Sequence, residues 1–86
     1  MPSRTVIGYF PDLEAAEGAR SQLIEAGVAR HRIALRPLAL EDAMAVSDPQ
    51  DVANCEVSVV SEPRDWERVS ELMARSGARR TVLLPR

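Results

Sequence analysis

The sequence has no lysine, and it has only one cysteine, one histidine and three aromatic residues among 86 positions. A single cysteine excludes an intramolecular disulfide, so a reducing cytoplasm is the expected compartment. No stretch approaches the roughly eighteen apolar residues that a membrane span needs. No apolar signal region precedes the first strand-like segment. The composition therefore predicts a soluble cytoplasmic protein that does not contact a membrane.

The residues needed for metal binding or catalysis are equally scarce. His31 and Cys55 are each alone and lie in different predicted elements, whereas a metal site or a nucleophile–base pair needs them clustered. The four glycines stand singly, so no glycine-rich phosphate loop is present. We predict no catalytic residue, no metal site, no cofactor and no enzymatic activity.

The charge pattern gives no reason to expect nucleic acid as a partner. The net charge is −2, and all eleven basic residues are arginine. Nucleic-acid-binding domains usually carry a basic excess instead. RNA recognition on an open sheet also needs stacked aromatic side chains. Only Tyr9 is expected on such a face.

Hydrophobic periodicity indicates one domain of the order β-α-β-β-α-β over residues 1–86. Apolar residues recur at helical spacing after Asp12 as far as Gly27, and again from Ser61 to Gly77. Strand-like segments occupy residues 5–10, 33–38, 55–60 and 81–85, and residues 39–53 form a long connection between the second and third strands. Right-handed crossovers then place both helices on one face of a four-stranded antiparallel sheet, a ferredoxin-like α+β sandwich.

The strand pattern divides the sheet residues between two faces. Val6, Gly8 and Phe10 are expected beneath the helices together with Cys55, Val57 and Val59, and Gly8 is expected to admit the first helix. The other face is too apolar for a plain solvated surface, so we predict that it forms a homodimer or, alternatively, binds a small molecule. The residues assigned to this dimer or ligand face are Ile7, Tyr9, Arg36, Leu38, Val60 and Leu83. An enzymatic alternative would use Tyr9, Arg36 or His31 in a pocket on this face.

One end of the predicted sheet gathers basic residues near a helix N-terminus, where an anion is favoured. The anion-binding residues predicted there are Arg4, Arg30, His31, Arg32, Arg64 and Arg86. Solvated ends with scattered ion pairs are the alternative, because exposed pairs contribute little to stability.

Several of these motifs together resemble the bacterial general-stress (heat-induced stress) protein domain family. The matching features are the strand Val6-Ile7-Gly8-Tyr9-Phe10, the following Asp12, the helix through Ala16 and Ala19 to Ala26-Gly27, and the segment from Leu72 to Gly77-Ala78. This resemblance implies a small stress-associated or regulatory domain without a catalytic centre, and it supplies no functional residues.

Two other families share part of the pattern. The Gly8-Tyr9-Phe10 strand before an alanine-rich helix is similar to SPOR domains, which bind denuded peptidoglycan. The topology also resembles ACT-type regulatory domains, which implies an amino-acid sensor; here Pro11-Asp12-Leu13 replaces the glycine-bearing first loop of that family.

Overall fold

The computed structural model describes residues 3–46 and 52–84. Its strands are β1 (Arg4–Phe10), β2 (Ile33–Pro37), β3 (Cys55–Ser61) and β4 (Arg80–Leu83). Its helices are α1 (Leu13–Glu25), α2 (Leu40–Val46) and α3 (Trp66–Arg75). Short 3₁₀ turns, Arg30–Arg32 and Pro63–Asp65, lead into β2 and α3.

The four strands form an antiparallel sheet in the order β2–β3–β1–β4. The helix α1 connects β1 to β2, and α3 connects β3 to β4, so each helix joins strands that are not neighbours in the sheet. This topology is ferredoxin-like and confirms the predicted fold class.

The main core lies between the sheet and the two longer helices. The strands β1 and β3 contribute Val6, Phe10, Cys55, Val57 and Val59 to it, as the alternating pattern predicts. The helices supply Ala16, Ala19 and Leu23 from α1, and Val69 and Met73 from α3. The assignment of this face from the sequence is therefore correct.

Both of these helices end in the same hydrogen-bonded motif. Gly27, at φ +102°, follows α1, and its N–H donates to the Ile24 carbonyl while the Val28 N–H donates to the Leu23 carbonyl. Gly77, at φ +105°, ends α3 with the same pair of bonds. This is the Schellman arrangement, in which glycine takes the left-handed conformation at little cost. The two predicted helix ends are confirmed.

The partner of Gly8 differs from the expectation. A Cβ atom at Gly8 would lie 2.5 Å from the Met73 sulfur and 3.0 Å from Cε1 of Phe10. The missing side chain at Gly8 therefore leaves room for Met73 of α3 rather than for an alanine of α1. The Met73 side chain packs against β1 where a Cβ atom of residue 8 would otherwise lie.

The connection between β2 and β3 contains the helix α2, and residues 47–51 of the predicted 39–53 stretch lie outside the described residues. Asn54, just before β3, lies at the end of the sheet next to β1. The Asn54 N–H donates to the Phe10 carbonyl, the Asn54 side-chain amide donates to the Pro11 carbonyl, and the Asn54 carbonyl accepts from the Leu38 N–H. These bonds tie Asn54 to the end of β1 and join it to Leu38, which follows β2.

Candidate functional site

A groove of about 330 Å³ lies between the C-terminal end of α1 and the start of α3, over the last residues of β3. The turn after α1 forms one side of the groove. The 3₁₀ turn that begins at Pro63 and the part of α3 as far as Leu72 form the other side, and the segment from Val59 to Glu62 lies between the two. Its volume falls within the range of small-molecule sites, about 300–1,000 Å³. We refer to this feature as the α1–α3 groove.

Local structure fixes both sides of the α1–α3 groove. On one side, the Schellman motif at Gly27 turns the chain sharply so that Val28 packs against the core. On the other side, Pro63 begins a 3₁₀ turn in which the Asp65 N–H donates to the Glu62 carbonyl. The Trp66 indole N–H then donates to the Ser61 carbonyl at 3.0 Å, which ties α3 to the end of β3.

The charges of the groove are unevenly paired. Its lining contains Arg32, Arg64 and Arg68 against the carboxylates of Glu62 and Asp65. Both carboxylates lie near the same guanidinium, since Nε of Arg64 is 3.4 Å from Glu62 and 4.0 Å from Asp65. Within the described residues, Arg32 and Arg68 have no ion-pair partner. Two exposed guanidinium groups therefore face the groove without a neutralising charge.

Apolar side chains complete the lining. Val59 and Val69 are buried beneath the groove, and Val28 and Leu72 are half-buried against the same core. The accessible surface of the groove is therefore mixed, with the charged side chains beside the half-buried Val28 and Leu72.

The structure brings together only part of the predicted anion-binding set. Arg32 and Arg64 line the groove, whereas Arg30 and His31 occupy the adjacent exposed turn and do not. Arg4 lies against the ring of Trp66, with its Cζ 5.0 Å from the ring centroid. Its Nε atom is buried and has no hydrogen-bond partner among the described residues. Arg86 lies outside the described residues.

Arg68 is the groove arginine that the sequence analysis did not identify. It follows Arg64 by four residues, so the two arginines lie on one side of the helical segment that Pro63 begins. This spacing was the available signal. The spacing by itself does not indicate a groove, because a groove also requires Arg32 to lie on the side opposite these two arginines.

The sheet face turned away from α1 and α3, here called the open face, is partly covered by the chain itself. Ile7 and Tyr9 are only 8% and 9% exposed, and they pack with Ala53, Leu38 and Val82. Val60 is 44% exposed. The predicted dimer or ligand face is thus smaller than the sequence suggested, because Ala53, which precedes β3, packs over part of it.

Leu83 was wrongly assigned to this face. The register pairs Val82 with Ile7 and Leu83 with Val6, so Val82 lies on the open face and Leu83 lies on the side of the helices. Directly opposed residues share a face, and a shift of one residue exchanges the faces of a whole strand.

An ion pair dominates the polar part of the open face. Glu56 is buried at 7% exposure, and the Nε of Arg36 donates to its Oε1 at 2.5 Å. This hydrogen bond, followed by the attraction of the Glu56 charge, raises the pKa of Arg36. Tyr9 stands opposite Glu56 in the register. The pairing compensates the buried carboxylate and leaves Arg36 engaged within the chain.

His31 and Cys55 are far apart in the fold. His31 is exposed in the turn before β2, while Cys55 pairs with Phe10 and Pro37 at the opposite end of the sheet. Burial raises the pKa of the Cys55 thiol, which disfavours the reactive thiolate. Over residues 3–46 and 52–84 there is also no group of three or more histidine, cysteine or acidic residues suited to a metal ion.

Comparison with known proteins adds no further assignment, because the chain matches no protein-family model and no curated protein. The resemblances to general-stress, SPOR and ACT-type domains stay predictions from short motifs. No helix in the described ranges has the length and apolar content needed to cross a membrane.

Proposed function

We propose that this chain is a non-enzymatic regulatory module that binds a small anionic molecule in the α1–α3 groove. The observation that carries the proposal is the position of Arg32 and Arg68, which face an apolar-floored groove of ligand size without an ion-pair partner among the described residues. An anion placed there would accept charge-assisted hydrogen bonds from these guanidinium groups.

The non-enzymatic part of the proposal rests on the distribution of reactive groups. His31 and Cys55 lie at opposite ends of the sheet, and Arg36 is paired with Glu56 on the open face. His31 and Cys55 therefore do not form a base–nucleophile pair, whereas covalent catalysis needs the two within hydrogen-bond reach. The regulatory role is the one that the general-stress and ACT-type resemblances imply.

Thermal unfolding in the presence of anions tests this function. The panel consists of short carboxylates, sugar phosphates and acidic amino acids at constant ionic strength, which removes differences in screening. A ligand at about ten times its Kd stabilises the folded state by roughly 1.4 kcal/mol. In a domain of this size that free energy raises the Tm by about 5–10 °C.

The matched variants assign any effect to the groove. Arg32→Gln combined with Arg68→Gln should abolish the rise, while Arg30→Gln, in the same turn as Arg32 but outside the groove, should retain it. The proposal is wrong if no anion raises the Tm of the wild-type protein, or if the double variant responds as strongly as the wild type.

Self-association through the open face is a second candidate, favoured by the exposure of Val60 on that face. It is the weaker one because Ile7 and Tyr9, on which it depended, are already buried within a single chain. Sedimentation velocity over a wide concentration range tests it. A dimer that Val60→Asp dissociates would support this role, and a monomer throughout would exclude it.

A further inference from the structure

We infer that the ligand of the α1–α3 groove carries a single carboxylate on a short apolar group, rather than a phosphate. This inference rests on the proposed function and specifies the class of molecule that the groove accepts. It follows from three properties of the lining: its net charge, its hydrogen-bond donors and its apolar floor.

The charge of the lining matches one negative charge. Three arginines face two carboxylates, which leaves a net charge of +1. The dianionic form of a phosphate ester would exceed this charge and would approach Glu62 and Asp65, where like charges repel. A monocarboxylate leaves the lining and its ligand neutral together.

The available donors also favour a carboxylate. Phosphate sites commonly use several free backbone N–H groups at a helix N-terminus or glycine-rich turn. Here the N–H groups of Gly27, Val28 and Asp65 already donate to carbonyls of the chain, and Pro63 has none. Few backbone N–H groups of the lining are therefore left for an anion, and the planar guanidinium group pairs with a carboxylate through two parallel hydrogen bonds.

The remaining surface selects against a zwitterion. The carboxylates that could receive an ammonium group are both beside the guanidinium of Arg64. The accessible apolar floor consists of Val28 and Leu72 instead, which are half-buried, while Val59 and Val69 lie fully buried beneath it. A ligand with an aliphatic chain next to its carboxylate can cover this floor and reach Arg32 or Arg68.

Nuclear magnetic resonance titration of the full chain with four probes tests the inference. The probes are sodium hexanoate, its neutral counterpart hexanamide, inorganic phosphate and leucine, all at equal ionic strength. Hexanoate should shift the amide signals of the turn after α1 and of the first half of α3. Hexanamide should bind at least about tenfold more weakly, since it lacks the charge that strengthens the hydrogen bonds.

Charge-neutral variants give the second part of the test. At least one of Arg32→Gln and Arg68→Gln should weaken hexanoate binding by about tenfold, the loss expected for one charge-assisted hydrogen bond. Arg30→Gln, the matched control, should change it less than twofold. The comparison of hexanoate with hexanamide uses the wild-type protein and holds even if a variant folds poorly.

The outcomes separate the two proposals. Tighter binding of phosphate in the groove would overturn the carboxylate assignment and leave the proposed function standing, whereas tighter binding of leucine, which carries no net charge, would overturn both. Shifts confined to the open face, equal binding of hexanoate and hexanamide, or unchanged binding in both variants would also overturn it. If none of the four probes perturbs the groove, the inference fails, and the absence of any Tm rise in the anion panel would show that the proposed function fails with it.

Discussion

Replacing Gly8 by alanine should destabilise the protein through one contact with Met73. The added Cβ would lie 2.5 Å from the Met73 sulfur, whereas non-bonded heavy atoms normally approach to about 3.5–4.0 Å. The sulfur must therefore move by about 1 Å. Met73 is fully buried, and Phe10 at 3.0 Å limits movement of the new methyl group.

The magnitude follows from two opposing effects. Overpacking a well-packed core costs about 1–3 kcal/mol. Gly8 does not have a positive φ, so alanine fits its backbone and restricts the unfolded chain, which returns about 0.4–1 kcal/mol. We expect Gly8→Ala to lower the free energy of unfolding by about 1–2 kcal/mol. This is a substantial part of the total stability of a domain of this size.

Urea unfolding followed by the fluorescence of Trp66, the only tryptophan, measures this change. Gly18→Ala is the matched control, because it lies within α1 with nothing within 4 Å of the added Cβ. That substitution should stabilise the protein by about 0.5–1 kcal/mol. The two glycines should therefore respond to the same substitution with opposite signs.

A double-mutant cycle with Met73→Ala isolates the contact. Without the sulfur, the nearest Met73 atom is Cβ at 3.4 Å and only the contact with Phe10 at 3.0 Å stays tight, so Gly8→Ala should cost less in that background. The expected coupling energy is about 1–2 kcal/mol, within the range for residues in direct contact. An equal cost of Gly8→Ala in both backgrounds would refute this account of the sheet–helix packing.

Three further substitutions test other parts of the structure. Leu23→Ala removes a fully buried side chain of α1 and should cost about 2–5 kcal/mol in urea unfolding; a cost below 1 kcal/mol would show that the cavity collapses. Asp12→Ala removes the acceptor of the Ala15 N–H at 2.8 Å and should cost about 0.5–2 kcal/mol, whereas Asp12→Asn should retain most of the stability. Burial raises the pKa of Cys55, so the unfolded chain loses this proton at a lower pH than the folded one. The stability that this difference in pKa provides is fully present below pH about 8.5 and should be lost as the pH rises further. The free energy of unfolding should therefore fall more steeply with pH in the wild type than in Cys55→Ala. Equal slopes in the two proteins would contradict this prediction.

The groove was only partly accessible to prediction from the sequence. The basic turn before β2 and the start of α3 were expected at one end of the sheet, and Arg32 and Arg64 do lie there together. The exclusion of Arg30 depends on which way each side chain of a 3₁₀ turn points. Arg4 lies against the ring of Trp66 and does not line the groove, and these two residues are more than sixty positions apart in the chain. Local hydrophobic periodicity predicts neither the orientation of Arg30 nor the contact between Arg4 and Trp66.

By itself, the sequence determined the features of this protein that depend on short-range physics. Alternating residues in β1 and β3 fixed which side of the sheet is buried, and Asp12, Gly27 and Gly77 fixed where the helices start and stop. These signals are local because side-chain alternation and capping involve residues only a few positions apart.

Only the tertiary structure decided the features that depend on distant partners. The register of β4 placed Val82 instead of Leu83 on the open face, and a strand of four residues carries too few side chains for its pattern to fix that choice. Packing likewise set Met73 against Gly8 and brought Arg32 to the groove that Arg68 also lines. Such contacts form between segments far apart in the chain, so they depend on the whole fold and not on the residues around them.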